Sequence, residues 1–267
     1  MRPSGKGSSA PRTTTRSPTR NRRAMDEGPL EILLDGPHSA AWNMALDETL
    51  LETPGAWFRV YRWWPRTLSL GYFQKVGDFE RERTRLPWIR RPTGGGAILH
   101  DDEWTLSLAL PIQSLGRQVS QSYLPLHRAV RSALEALGVP LAPPPSDTAP
   151  GIDSHARPRT PWCFNDPISL DLLSPDGRKV FGSAQRRRGD RVLHHGSLIL
   201  SPAPETPRAG FAKPFPNKTL PLLLAQTLSQ TLGLPPRLHL RLPPPLCAKA
   251  DSLARTKFSA PSWNKKR

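Results

Sequence analysis

Three segments of strand-forming pattern, Ile168–Leu173, Lys179–Gln185 and Val192–Leu200, follow one another with short turns holding Asp176-Gly177 and Arg188-Gly189-Asp190 between them. Gaps this short allow only antiparallel hairpins, because a parallel return needs a crossover of a dozen or more residues. The chain therefore holds a three-stranded meander. That excludes a helical bundle and a purely parallel sheet.

Around the meander, strand and helix patterns mix. Leu30–Leu34 reads as a strand ended by Asp35-Gly36-Pro37. A helix follows with Ser39 as its N-cap; its stripe of Trp42, Ala45, Leu46, Thr49 and Leu50 has the spacing of one buried face. Trp57–Trp63 and Thr67–Phe73 are expected strands, and Gln74–Arg85 an expected polar helix ended by Pro87. Trp88–Arg90 should enter a glycine turn at Gly94, Gly95 and Gly96 from which Thr105–Leu110 returns as a strand. Leu124–Leu137 is amphipathic with Gly138 as its stop, and Pro140–Pro161 reads as a long loop. Leu220–Leu232 forms a helix with Thr219 as N-cap and Pro221 in its first turn. A proline-rich link and a final helix over Ala248–Thr256 close the chain. The expected class is α+β: mixed, largely antiparallel sheets flanked by helices. At 267 residues the chain suffices for one large domain with a sizeable core.

The net charge of +16 suggests nucleic acid or an acidic partner. Its distribution argues otherwise. Residues 1–27 and 249–267 carry +5 each, which leaves +6 for the body. The first 27 residues read as a disordered basic tail, either dispensable upstream of a start at Met25 or resembling an organelle transit peptide. No stretch approaches the roughly 20 apolar residues that span a bilayer, so no membrane partner is expected. Two cysteines far apart give neither a zinc spacing nor a disulfide framework, which points to the cytoplasm and to no metal site.

Several residues have chemical promise. The triple glycine lets backbone approach a ligand, and Arg90 and Arg91 could add fixed charge; a plain glycine hairpin with solvated arginines is the alternative. Neither a P-loop nor a dinucleotide fingerprint is present. Cys163 could act as a nucleophile if a base or cation stood nearby, or simply pack as a small hydrophobe. Lys179, beside Gly182 and Ser183, could bring an ammonium to an oxyanion. His194 and His195 point to opposite faces of a strand, so at most one of them faces a site.

Taken together, Arg90-Arg91-Pro-Thr-Gly-Gly-Gly-Ala-Ile-Leu-His100-Asp101, Arg178-Lys179-Val-Phe-Gly-Ser-Ala-Gln and His194-His195-Gly-Ser-Leu-Ile-Leu resemble the superfamily of lipoate-protein ligase A, ligase-like octanoyltransferases and biotin ligases. The resemblance runs from about residue 30 to 264. It implies a catalytic domain over 28–267 with a fold related to the class II aminoacyl-tRNA synthetase core. It implies that Arg91, Gly94, Gly95, Gly96, Ala97 and His100 line an acyl site and that Lys179 contacts the acyl carbonyl. Gly182, Ser183 and Ala184 would pack beside it, with His195 as the site-facing imidazole. The setting of Cys163-Phe164 before Pro167 and the Asp171-Leu-Leu strand resembles that of the cysteine of octanoyltransferases, which accept octanoate from acyl carrier protein as a thioester without a cofactor. The acceptor would be a lysine of a lipoyl-domain protein, such as the glycine cleavage H protein or a 2-oxoacid dehydrogenase E2. The alternative is an ATP- and Mg2+-dependent lipoate ligase, although the accessory domain common in ligases is not expected after Trp263. Biotin ligase is disfavoured because Arg-Arg-Pro-Thr-Gly-Gly-Gly stands where its Gly-Arg-Gly-Arg signature would be. Nucleic acid is not expected as a partner, and a non-catalytic acyl- or nucleic-acid-binding module is the remote third reading.

Overall fold

The computed structural model describes residues 28–116, 118–144, 160–165, 167–168, 170–215 and 217–266. The expected basic tail and most of the expected long loop lie outside the described residues. The chain opens with β1 (Leu30–His38) and turns at Ser39 into α1 (Ala40–Leu51), where the Ser39 hydroxyl accepts the Trp42 N–H. β2 (Ala56–Trp63), β3 (Thr67–Leu70), α2 (Glu80–Arg83), β4 (Trp88–Arg90), β5 (Ile98–His100) and β6 (Glu103–Pro111) follow. Then come α3 (Val119–Ser122), α4 (Leu124–Ala136), β7 (Leu172–Leu173), β8 (Lys179–Arg188) and β9 (Arg191–Ile199). α5 (Leu220–Leu232), β10 (Pro236–His239), α6 (Pro244–Leu253), a π-helical turn at Ala254–Phe258 and α7 (Pro261–Asn264) complete the described part.

Seven strands form one mixed sheet in the order β10-β1-β2-β6-β9-β8-β7, and β4-β3-β5 form a second, small sheet. In the large sheet only β10, β1 and β2 run parallel. β6, β9, β8 and β7 pair antiparallel, as the short turns require. One face of this sheet packs on α4 and α5 through Phe58, Leu106, Leu108, Val130, Leu224 and their neighbours. The other face meets α1, with α6 outside it, through Leu46, Leu50, Leu193 and Ala250.

Several expectations change. Gln74–Arg85 breaks into a 3-10 turn and the single turn α2, because a polar segment with one buried apolar residue, Phe79, has too little packing to sustain a helix. Thr105–Leu110 does not return beside Trp88–Arg90; it lies inside β6 of the large sheet, while the glycine turn leads into the separate β5. Of Ile168–Leu173 only β7 is strand, and Thr67–Phe73 stops at Leu70. The proline-rich link holds the edge strand β10, and the final helix begins at Pro244, where proline is tolerated in a first turn. Thr219 makes no side-chain cap on α5. Among the described residues no helix is long and apolar enough to cross a membrane.

Beneath α1 lies a buried charge cluster. Arg59 is fully buried and donates to Asp35 Oδ2 at 2.9 Å, Asp47 Oδ1 at 3.0 Å and Asn43 Oδ1 at 2.7 Å. Tyr61 donates to the other Asp47 oxygen at 2.6 Å. Burial alone would raise the Asp47 carboxyl, but Arg59 and the groups around it hold it below the ordinary carboxylate range. Removing one partner of a buried pair strands the other charge. Asp47→Ala is expected to lower the free energy of unfolding by about 3–5 kcal/mol in urea titration, and a loss below about 1 kcal/mol would show that the cluster contributes little.

Candidate active site

The glycine turn is built to hold Cys163. Gly95 sits at φ +87°, a conformation open mainly to glycine. A Cβ on Gly96 would stand 2.7 Å from the Cys163 backbone nitrogen. The contact is tight because the two segments bond to each other: Ala97 N–H donates to Pro161 O at 2.8 Å, and Cys163 N–H donates to Ala97 O at 2.9 Å. Arg91 locks the turn from beneath, donating to Ser69 O and Oγ, both at 3.1 Å, to Gly94 O at 2.7 Å and to Gly96 O at 2.6 Å. Arg90 likewise donates to the carbonyls of Gly71, Tyr72 and Gln74. These arginines thus hold main chain rather than presenting free charge. Burial among carbonyls pulls the Arg91 guanidinium down to about 10.

Lys179 opens β8 and is buried. Its Nζ lies 2.8 Å from Asp171 Oδ2, 3.0 Å from Cys163 O and 3.6 Å from Cys163 Sγ, with the Phe164 ring centroid 5.0 Å away. Burial disfavours the ammonium, but Cys163 and Asp171 outweigh it and raise the lysine above its ordinary value. Lys179 is therefore a cation at neutral pH. Asp171 is itself held by the Ile168 N–H at 2.7 Å. Gly182 leaves the room, since a Cβ there would stand 2.4 Å from Lys179 Cε.

The histidines divide as the two-residue period of the strand requires. His195 Nε2 lies 2.9 Å from Asp47 Oδ2, and its Nδ1 is 3.3 Å from Thr93 Oγ1. His194 is packed on the opposite side against Tyr123, and burial depresses it to about 3. His100 is bonded at both nitrogens, to Glu103 and Ser69 at 2.7 Å each, and stacks on Trp63 at 3.9 Å. His127, which the sequence reading did not single out, donates from Nδ1 to Leu170 O at 2.6 Å, so its Nε2 accepts from Ser183 Oγ at 2.8 Å. That links the strand of Lys179 to the segment of Asp171.

A cleft between the small sheet and the large one collects these residues. Arg91, Gly95, His100, Cys163, Gly182, Ser183, Ala184 and His195 all line it. Met44, Tyr61, Trp63 and Ile98 supply apolar wall. Of the remaining expected residues, Lys179 touches Cys163, while Gly96 and Ala97 hold the Cys163 backbone and Gly94 faces Phe73. Among the described residues no three of His, Cys, Asp and Glu could hold a metal ion.

The model of the lipoyl protein ligase A/B catalytic domain matches residues 39–218. The chain belongs to that family. It is 37% identical over 188 residues to the octanoyltransferase LipM of Kyrpidia tusciae, covering 65% of this chain and 67% of that one. The octanoyltransferase LipM of Exiguobacterium sibiricum is 40% identical over 182 residues, covering 64% and 66%, and that of Bacillus subtilis 36% over 177, covering 62% and 63%. The aligned part thus spans about two thirds of each relative. Among solved structures, a lipoate-protein ligase A bound with ATP superposes with a TM-score of 0.69 at 21% identity, over 89% of this chain and 98% of that one. A bi-partite lipoate protein ligase from Thermoplasma acidophilum gives 0.66 at 19%, over 89% and 96%. At such identities these two share the fold.

In this member of the lipoyl protein ligase A/B family, sequence reasoning gave the acids no role of their own. Asp47 and Asp171 lie far in sequence from the groups they hold or next to unremarkable leucines, and burial marks them only once the chain is folded. Gly182→Ala is expected to cost about 1–3 kcal/mol of stability by pressing a methyl group into Lys179. Gly36→Ala, with open space around it, should cost less than about 0.5 kcal/mol. Urea unfolding of both variants measures the difference, and equal stabilities would contradict the packing of Gly182 on the lysine.

Proposed function

We propose that this chain is a protein octanoyltransferase, moving octanoyl from acyl carrier protein to a lysine of a lipoyl-domain protein through a thioester on Cys163. The observation that carries the reading is the 3.6 Å approach of a buried, charged Lys179 to Cys163 Sγ at the wall of an apolar cleft. Relatives at 36–40% identity bear the name octanoyltransferase.

The chemistry follows from the parts. The nucleophile is a thiolate, and an adjacent ammonium stabilises negative charge on sulfur. Sγ attacks the thioester carbonyl, and the carbonyl oxygen becomes an oxyanion near the Lys179 ammonium. The N–H groups of Cys163 and Ala97 are already spent on carbonyls, so the lysine carries most of this stabilisation. Collapse breaks the bond to the carrier sulfur, which leaves with its electron pair and takes a proton from water. The acceptor lysine, as free amine, then attacks the Cys163 thioester, its surplus proton passes to water, and the Cys163 thiolate departs. Because Cys163 and Asp171 together hold Lys179 above its ordinary value, that lysine serves as a fixed cation and not as the base for the amine.

No nucleotide enters these steps. Arg90 and Arg91, the cations next to the glycine turn, are committed to main-chain carbonyls, which favours thioester exchange over nucleotide binding. We read residues 28–267 as the catalytic domain. Cys163 and Cys247 are both unpaired, which suits a reducing compartment, and a cytoplasmic location is part of this reading.

Incubation with octanoyl acyl carrier protein in the absence of ATP should add one octanoyl group to the wild-type mass, labile to hydroxylamine. Cys163→Ala should gain none, and Lys179→Met should acylate ~10²-fold more slowly. Octanoylation of a lipoyl domain only when free octanoate and ATP are supplied would overturn the transferase in favour of a ligase.

A further inference from the structure

The segment that carries the nucleophile has little regular structure of its own. Over residues 160–165 the isolated bridge of Trp162 with Ala97 is the only sheet pairing among the described residues. Cys163 is therefore fixed by a few tertiary bonds, and one of them comes from a side chain outside the cleft. Gln74 donates from Nε2 to Pro161 O at 2.8 Å, across 87 residues of sequence. The same carbonyl accepts the Ala97 N–H at 2.8 Å, so the glutamine and the glycine turn meet on a single oxygen.

The other end of the Gln74 amide is anchored. Its Oε1 accepts the Gly71 N–H at 2.8 Å, while the Gln74 N–H returns to Gly71 O at 3.1 Å and closes a turn. That turn is held from outside: Tyr72 N–H donates to Thr93 O at 2.9 Å, and Arg90 Nη1 donates to the carbonyls of Gly71, Tyr72 and Gln74. Arg90 is in turn tied to α7, its N–H donating to Asn264 Oδ1 at 2.9 Å and its carbonyl accepting from Trp263 Nε1 at 2.8 Å. Gly71 also backs the glycine turn, since a Cβ there would stand 1.9 Å from Gly95 O. The carbonyl end of the amide thus has a rigid base, and its NH2 end reaches the segment of Cys163.

We infer that Gln74 is a positioning residue for the nucleophile, a strut that ties the main chain before Cys163 to the base of the glycine turn. For the reaction it affects, the inference rests on the transferase reading above; the contact itself does not. Gln74 is not among the residues that line the cleft, so it acts through Pro161 and not on substrate. The strut needs an acceptor for the Gly71 N–H and a donor for Pro161 O on one side chain, which a primary amide supplies. Leucine offers neither, and a carboxyl offers the donor only when protonated. Without the strut, Pro161–Cys163 can shift against Lys179, whose Nζ lies 3.0 Å from Cys163 O and 3.6 Å from Sγ. A shift of that kind slows a reaction that depends on alignment.

Single-turnover octanoylation of Cys163 by octanoyl acyl carrier protein, followed by intact mass, tests the strut in variants that remain folded by circular dichroism. Gln74→Leu should acylate roughly tenfold more slowly at saturating donor, with the donor concentration for half-maximal rate within about twofold of wild type. Gln74→Glu should be as slow at pH 8. Its rate relative to wild type should rise roughly threefold or more by pH ~4.5, as the introduced carboxyl takes up a proton near its ordinary value of about 4.3 and donates to Pro161 O. In hydrogen exchange, the peptides over 94–100 and 160–165 should exchange faster in Gln74→Leu, and the rest of the chain as in wild type. Acylation of Gln74→Leu at the wild-type rate, a loss confined to the half-maximal donor concentration, or a Gln74→Glu ratio that is flat with pH would each overturn the positioning role. If wild type takes no octanoyl from the carrier, the transferase reading fails and exchange alone decides Gln74: unchanged exchange overturns the strut, and faster exchange at these two segments upholds it.

Discussion

An ammonium buried between a carboxylate and a sulfur governs this molecule. Lys179 gives up its hydration to sit 2.8 Å from Asp171 and 3.6 Å from Cys163 Sγ, an arrangement that is stable only if every surrounding group is held in place. Each element around it serves that end. The antiparallel pairing of β8 with β9 carries Lys179 and Gly182 to the cleft. The bond from His127 to Leu170 O fixes the segment that presents Asp171. The glycine turn, locked by Arg91, fixes the main chain of Cys163.

A second buried cluster performs the same service for the opposite wall. Arg59 ties Asp35, Asn43 and Asp47 together beneath α1, and Asp47 reaches on to His195 and Tyr61 at the cleft. Charge buried in both walls costs solvation, and the ion pairs and hydrogen bonds around Arg59 and Lys179 offset it. Between these walls the cleft is lined by Met44, Tyr61, Trp63 and Ile98, which suits an aliphatic chain. Lys179, paired with Asp171, stands at the cysteine, where charge changes in the proposed reaction.

Much of this was legible in the sequence for local reasons. Short turns between apolar segments require β8 and β9 to be antiparallel, and the stripe with its Ser39 cap gives α1. The alternation of a strand separates His194 from His195. What local patterns could not reveal depends on tertiary partners. The strand β10 exists because β1 offers it an open edge, and its own residues are mostly exposed. Gln74–Arg85 fails as a helix for want of a surface to bury against. The juxtaposition of Cys163, Asp171 and Lys179 has no spacing rule behind it. Resemblance to a known family pointed to the cysteine and the lysine, but nothing in the local pattern marked Asp171 as their third member.

If the Lys179 ammonium is what makes Cys163 a nucleophile, the thiol's own reactivity must depend on it. The direct measurement is the rate at which iodoacetamide alkylates Cys163 at pH 7, with Cys247→Ser in the background so that one thiol is read. Wild-type Lys179 should give a rate roughly tenfold above that of Lys179→Met, with both proteins folded by circular dichroism. Equal rates would contradict the pairing and reduce Lys179 to a packing residue of the cleft.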